Sequence, residues 1–404
     1  MSGRPSLKSV LAWLILVAAF LGCGGRGAKE GPGAVARMND DKISAHDLLE
    51  NGHFAEVVGI LTPWAEEKVP DPQVYSMLAK AQWKLGNYDD AIANYEAAVR
   101  LDYSNTYAHL ELAQILVEIG RTGRALTEFD LAIRTGERDP LPHYNYGLAL
   151  YGMKRREEAL EQWRMAYALD SRDPRYAEAV GIGLTGKDDE AALEYFEEAD
   201  SLGADEAGFH DNFGLLLQRL GRYGQAEAEF EKAVSREPGN ALYRRNLAIL
   251  YMASGQSSLA VPLWEALLGE NKESPVYRIY LARAFFDAGR FDSAIDVLED
   301  WAQKVGAIPP ASGTPGAEGE APPIDEAFDV LAMSYRGKKD TVRAVSYIRR
   351  ALALKPRSVA YLINYGVILA EGGNIPEAKA QWKKALEIDP GNTTASKNLS
   401  AYSR

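Results

Sequence analysis

The sequence predicts an all-α fold, a solenoid of about ten stacked helical hairpins. Three observations predict it. A pattern of small and large apolar residues returns every 34 residues through most of the 404-residue chain. Each copy holds two stretches whose apolar residues are spaced by threes and fours, the period of a helix with one buried face. In seven copies a glycine stands between the two stretches, from Gly52 to Gly373, where a tight turn needs a positive φ.

In chain order, residues 1–22 read as a signal peptide. Arg4 and Lys8 give a positive start, and Val10–Leu21 is an unbroken apolar run. A spanning helix needs about 20 such residues, and this shorter run suits the core of a secretory signal. Cys23 follows, the only cysteine of the chain, so no intrachain disulfide can form. The junction Phe20-Leu21-Gly22-Cys23 resembles the lipobox of bacterial lipoproteins. Phe20 stands where that family usually has leucine, and Leu21 where it usually has a small residue. The resemblance implies lipid attachment at Cys23 and a bacterial envelope location, the periplasmic face of the outer membrane before the inner membrane. Residues 23–37, the cysteine and a glycine-rich stretch with little to bury, are expected to be a flexible tether.

The repeat begins at Met38. Aligning turn glycine and following alanine divides 38–308 into eight copies: 38–71, 72–105, 106–139, 140–173, a shortened 174–206, 207–240, 241–274 and 275–308. Residues 309–324 carry five prolines and no apolar period, which reads as a surface loop or linker, favoured as a bulge over a hinge. Two further copies follow, 325–358 and 359–392. The last is the clearest. A first helix is predicted over 360–371, broken by Gly372, Gly373 and Asn374. Pro376 opens a second that buries Ala378, Trp382, Ala385 and Leu386. Residues 393–404 could cap the array with Ala395, Leu399 and Tyr402 on one face.

Two places recur in every copy. The first helix carries a small residue, among them Ala45, Ala79, Gly181, Gly214 and Gly366. The second carries a large one, among them Leu61, Tyr95, Phe196, Phe230 and Trp382. Small residues let paired helices approach, and the large ones fill the space beside them. This spacing resembles the tetratricopeptide repeat, a 34-residue helix–turn–helix family. The resemblance implies a right-handed superhelix with a concave groove that holds a protein or an extended peptide.

In repeat-local terms the second, fifth, sixth, ninth and thirteenth places of the first helix share one face, which that family turns toward its groove. The sixth place holds Asn145, Asn212, Asn246 and Asn364. An asparagine offers an acceptor and two donors, so such a row could grip a peptide backbone. It could equally bond to the adjacent helix and only support stacking. Arg245, Arg283, Tyr144 and Tyr151 are further candidates on this face, as are Lys80 and Trp83. The family's clamp for a C-terminal carboxylate is not matched around Arg245, because the next copies offer Tyr280, then Glu326 and Val330.

Several function classes are excluded. Net charge is −12 without a basic block, which argues against nucleic acid. The stretch Gly181–Asp188 matches most of a phosphate-binding loop, but Asp188 stands where Ser or Thr must reach Mg²⁺, and the repeat puts a helix where that motif needs a strand. The five histidines show no metal-ligand spacing and no activated nucleophile is visible, so no metal, cofactor, small-molecule substrate or catalytic residue is expected. The reading is a non-enzymatic scaffold or adaptor of an envelope machine for pili, secretion or polysaccharide export. The alternative is an accessory, glycan-binding subunit using Tyr and Trp faces.

Overall fold

A computed structural model describes residues 32–306 and 323–402, with side chains from 35 to 305 and from 323 to 402. Signal peptide, Cys23, most of the tether and nearly all of the 309–324 interruption lie outside the described residues. Every regular element among the described residues is an α-helix. The chain divides into two compact units, 1–155 and 156–404, with the division between the two helices of the fourth copy.

The first unit contains α1 (Pro32–Glu50), α2 (Phe54–Glu66), α3 (Pro72–Lys84), α4 (Tyr88–Leu101), α5 (Thr106–Glu118), α6 (Thr122–Thr135) and α7 (Pro140–Gly152). The second contains α8 (Arg156–Leu169), α9 (Pro174–Leu184), α10 (Asp189–Ser201), α11 (Ala207–Arg219), α12 (Tyr223–Arg236), α13 (Ala241–Ala253), α14 (Ser257–Glu270), α15 (Pro275–Asp287), α16 (Phe291–Gly306), α17 (Ile324–Gly337), α18 (Thr341–Leu354), α19 (Val359–Glu371), α20 (Ile375–Ile388) and α21 (Thr393–Ala401). Within each unit, consecutive helices pack as antiparallel hairpins and each hairpin packs on the next. One hairpin cannot bury its apolar face alone, so the stack is the folding unit.

Local chemistry sets the boundaries. Asp71, Asp139 and Asp173 cap α3, α7 and α9 by accepting a backbone N–H, and a proline occupies the first turn of each. That proline's missing N–H is one the helix start could not have used. Hairpin turns use a left-handed residue, such as Gly373 at φ 85°. Lys154 and Lys339 adopt φ 63° in copies that lack the glycine. α1 begins at Pro32, inside the stretch expected as tether. Proline suits a first helical position, and Ala34, Val35 and Ala36 can continue the helix from it.

The small–large pairing holds. The alanines at the small place, from Ala45 to Ala332, are wholly buried, as are Leu61, Tyr95, Phe129, Phe196, Phe230, Trp264 and Ile348. At Gly366 a Cβ would lie 2.3 Å from Trp382 Nε1, and at Gly214 one would lie 2.8 Å from the Phe230 ring. Only glycine admits those rings.

Two features complete the second unit. α16 packs on α17 across the sequence interruption, and the hydroxyls of Tyr335 and Tyr347 each donate 2.7 Å to Glu299 Oε1, with the two rings stacked. At the C-terminal end α21 buries Ala395 against Leu362 and Ala385, and the Tyr402 ring stacks on Trp382 at 5.6 Å.

Candidate partner-binding face

The first helices carry the candidate residues. In the second unit, three of the four asparagines of the row are held by the preceding repeat. Asn212 Nδ2 donates to Glu178 Oε1 at 3.2 Å. Asn246 Nδ2 donates to both oxygens of Asp211, at 2.8 and 3.0 Å. Asn364 Nδ2 donates to Asp329 Oδ1 at 2.8 Å. Each couple joins the sixth place of one copy to a carboxylate at the fifth place of the copy before it, 34 or 35 residues away. Asn246 and Asp211 are buried, while Asn212 and Asn364 are half-exposed.

These carboxylates are unusual for this chain. Burial raises Glu178, Asp211 and Asp329 above the ordinary carboxylate range, opposed by the asparagine donors. Arg245 pulls Asp211 back down through space, and Arg283 does so for Asp329. Among the described residues none of the three is in an ion pair. Of the four other carboxylates on the second unit's first helices two have one, Asp325 with Lys355 at 2.7 Å and Glu371 with Arg336 at 2.5 Å.

Arg245 and Arg283 are exposed and, among the described residues, have no hydrogen bond, ion pair or ring beneath them. The other first-helix arginines of this unit are engaged. Arg175 meets Asp173, Arg219 meets Asp189, Arg244 meets Glu270, Arg278 meets two carbonyls and Arg336 meets Glu371. Around the two free arginines lie apolar side chains that face water. Leu242 is 46% exposed, Val276 43% and Leu215 38%. Leu242, Arg245 and Ile249 follow one face of α13, at places two, five and nine. Val276 and Arg283 take places two and nine of α15, and Leu215 place nine of α11.

The first unit differs. Lys80 Nζ donates 2.8 Å to Glu111 and Trp83 Nε1 donates 2.8 Å to Glu118, so each of those candidates is tied to a carboxylate of the next repeat. Asn145, Tyr144 and Tyr151 lie half-buried on α7. The row of four asparagines is thus three stitched couples in the second unit and one asparagine on the first.

A further set was missed from the sequence. At the fourth place of the first helix, His109 bonds Glu128 at 2.8 Å and the Tyr103 carbonyl at 3.1 Å. His210 bonds Glu229 at 2.7 Å and Asp205 at 3.1 Å. Arg244 and Arg278 stand at the same place and reach carbonyls of the preceding loop, Gly239 and Lys272. These four side chains latch the loops before α5, α11, α13 and α15 to their hairpins. The shared place of His109, His143 and His210 in the repeat frame was the available signal.

The stretch that resembled a phosphate loop is accounted for by packing. Gly181 lies against the Phe196 ring, and the Gly186 N–H is donated to Asp189 Oδ1 at 2.5 Å. His46, Asp47 and Glu50 bring three possible ligand atoms within 4.8 Å, all on one helix and largely exposed. No helix among the described residues is long and apolar enough to cross a membrane.

The profile of the tetratricopeptide repeat family matches residues 76–140, 212–256, 245–311 and 330–393, more than half of the chain. No protein of curated function matches. Among solved structures, the chain is similar to the pilF protein of Pseudomonas aeruginosa at 24% identity, over 52% of this chain and 97% of that one, with a TM-score of 0.47. It is similar to PilW, a type IV pilus biogenesis factor, at 20% identity over 50% and 94%, with a TM-score of 0.46. Yeast Tom70 aligns over 90% and 94% at 14% identity, with a TM-score of 0.38.

Proposed function

The chain belongs to the tetratricopeptide repeat family, and from that premise we propose that it is a non-enzymatic scaffold holding an extended segment of a partner protein along the first-helix face of its second unit. Repeat arrays of this kind present extended binding surfaces, which supports the coarse reading of a protein-interaction scaffold. The observation that carries the finer one is the water-facing apolar row of Leu215, Leu242 and Val276 beside two unpaired arginines, Arg245 and Arg283. Exposed apolar side chains in a row mark interaction sites more often than scattered ones do. Asn212, Asn246 and Asn364 fix the geometry of that face through their carboxylates.

The site of action in this proposal is a bacterial envelope, with Cys23 as lipid attachment and assembly of a pilus, secretion or export machine as the setting. Support comes from the positive start, the short apolar run and the single cysteine behind it. Two experiments test the proposal. Quantitative co-purification from host envelopes with Leu242→Asp/Val276→Asp should lose the partners that the wild type retains, and undiminished recovery contradicts the face. Labelling with radioactive palmitate should mark the wild type and not Cys23→Ser, and equal labelling contradicts the anchor.

A further inference from the structure

The chemistry of the face narrows the partner, given the binding reading above. Three classes of group lie on it. The carboxylates Glu178, Asp211 and Asp329 are engaged by asparagine, and two of them are buried, so they offer little to a ligand's cations. The apolar side chains Leu215, Leu242, Ile249 and Val276 present aliphatic surface. Arg245 acts through space on Asp211, and Arg283 on Asp287 and Asp329, yet neither guanidinium makes a hydrogen bond or ion pair among the described residues, so their N–H donors are open to a ligand. A guanidinium with open N–H donors is suited to a carboxylate, which it can hold through two parallel hydrogen bonds.

We propose that the bound segment is acidic and apolar, with Asp or Glu side chains taken by Arg245 and Arg283 and intervening apolar side chains laid on Leu215, Leu242, Ile249 and Val276. Spacing supports this. Along α13 the order is apolar, cationic, apolar at places two, five and nine, and along α15 it is apolar then cationic at places two and nine. An extended segment places successive side chains on opposite sides, so alternate residues can meet the face while the others point to solvent. The chain's acidity elsewhere sharpens the choice. The fifth copy, 174–206, carries ten Asp and Glu against two Lys and Arg, so a segment with this charge is steered away from that copy and toward the arginines.

The full chain without its signal would be titrated into four fluorescein-labelled nine-residue peptides, read by anisotropy. The peptides alternate Glu with Leu, Lys with Leu, Gln with Leu, and Glu with Ser. The Glu–Leu peptide should bind at least about tenfold tighter than the Lys–Leu and Glu–Ser peptides, and added salt should narrow the gap to Gln–Leu. Arg245→Ala/Arg283→Ala should abolish the preference for Glu over Gln, Arg245→Lys/Arg283→Lys should retain part of it, and Arg357→Ala, at an exposed arginine in the loop between α18 and α19, should retain all of it. Far-ultraviolet circular dichroism and thermal melts confirm that each variant is folded. Preference for Lys–Leu, or a Glu–Leu affinity unchanged in the double alanine variant, overturns the charge assignment. If Leu–containing peptides bind without charge preference and Leu242→Asp abolishes binding, the face stands and this inference fails. If none of the four peptides binds, both fail.

Discussion

The two units carry the same hairpin and use its first-helix face differently. In the first, polar side chains at the face places pair with each other across repeats, as Lys80 does with Glu111 and Trp83 with Glu118. In the second, Arg336 pairs with Glu371 in the same way, but at the sixth place the cross-repeat bond is an amide to a carboxylate, and Arg245 and Arg283 make no ion pair with Asp211 and Asp329. Both faces leave apolar side chains to water, Leu148 at place nine of α7 among them at 46%, but on the second unit arginines at these places stand without an ion pair among the described residues. The difference teaches that hairpin packing and face chemistry are separable. The first is set by a small and a large residue per repeat, the second by which partner each polar side chain finds.

The largest expected effect tests that separation. Trp264→Ala removes a wholly buried ring stacked at 4.8 Å on Tyr280, and should destabilise the second unit by about 3–5 kcal/mol in denaturant unfolding. A much smaller loss would mean that the large residue is not what holds the hairpin. Next comes Asn246→Ala, which leaves the buried Asp211 carboxylate without its donor. We expect about 1–3 kcal/mol of destabilisation. Its counterpart in the first unit is Lys80→Ala, at an ion pair whose members are 45% and 21% exposed, where the expected loss is under about 1 kcal/mol. Equal losses at the two sites would erase the distinction between the units.

The pH dependence separates them further. Burial raises the Asp211 and Asp329 carboxyls, so the folded state takes up protons there more readily than the unfolded chain. Their contribution to stability is complete below the unfolded pKa and is lost as pH rises through the raised folded value. With Asp211→Asn/Asp329→Asn that loss disappears. The stability of the double variant relative to wild type should therefore improve as pH rises from about 4 to about 7. A constant difference across that range would mean the carboxylates are not held high. The smallest effect on stability belongs to Arg245→Ala/Arg283→Ala, expected within about 0.5 kcal/mol of wild type by thermal unfolding because the two exposed guanidinium groups make no hydrogen bond or ion pair and act on Asp211 and Asp329 only through space. A loss beyond about 1 kcal/mol would show them to be structural after all.

These contrasts follow what the sequence makes legible. The seam between paired helices is written in residues whose only role is volume, so Gly366 and Trp382, or Gly214 and Phe230, can be paired by spacing alone. The asparagine row is legible as a row, but its bonds are not, because Asp211 and Asp329 read as ordinary solvent-facing charges until the preceding repeat is laid against them. The loop latches at His109 and His210 were hidden for the same reason, each joining a helix, its partner helix and a loop. The start of α1 at Pro32 was missed because the glycine-rich stretch before it dominated the reading of the stretch after it. Spacing puts places two and nine on the groove face, but it does not single out Leu215, Leu242 and Val276 there, because how far an apolar side chain stays exposed depends on the neighbouring repeats.

The central claim is that the partner lies on the first-helix face of the second unit. Leu242 and Leu259 belong to the same hairpin and are equally exposed, at 46% and 48%, one on the first helix and one on the second. Replacing each in turn with the photo-crosslinker p-benzoylphenylalanine and irradiating host cells compares the two faces at one position in the array. The account predicts a discrete partner adduct from position 242 and none from position 259. An adduct from 259 alone, or the same adduct from both, would contradict it.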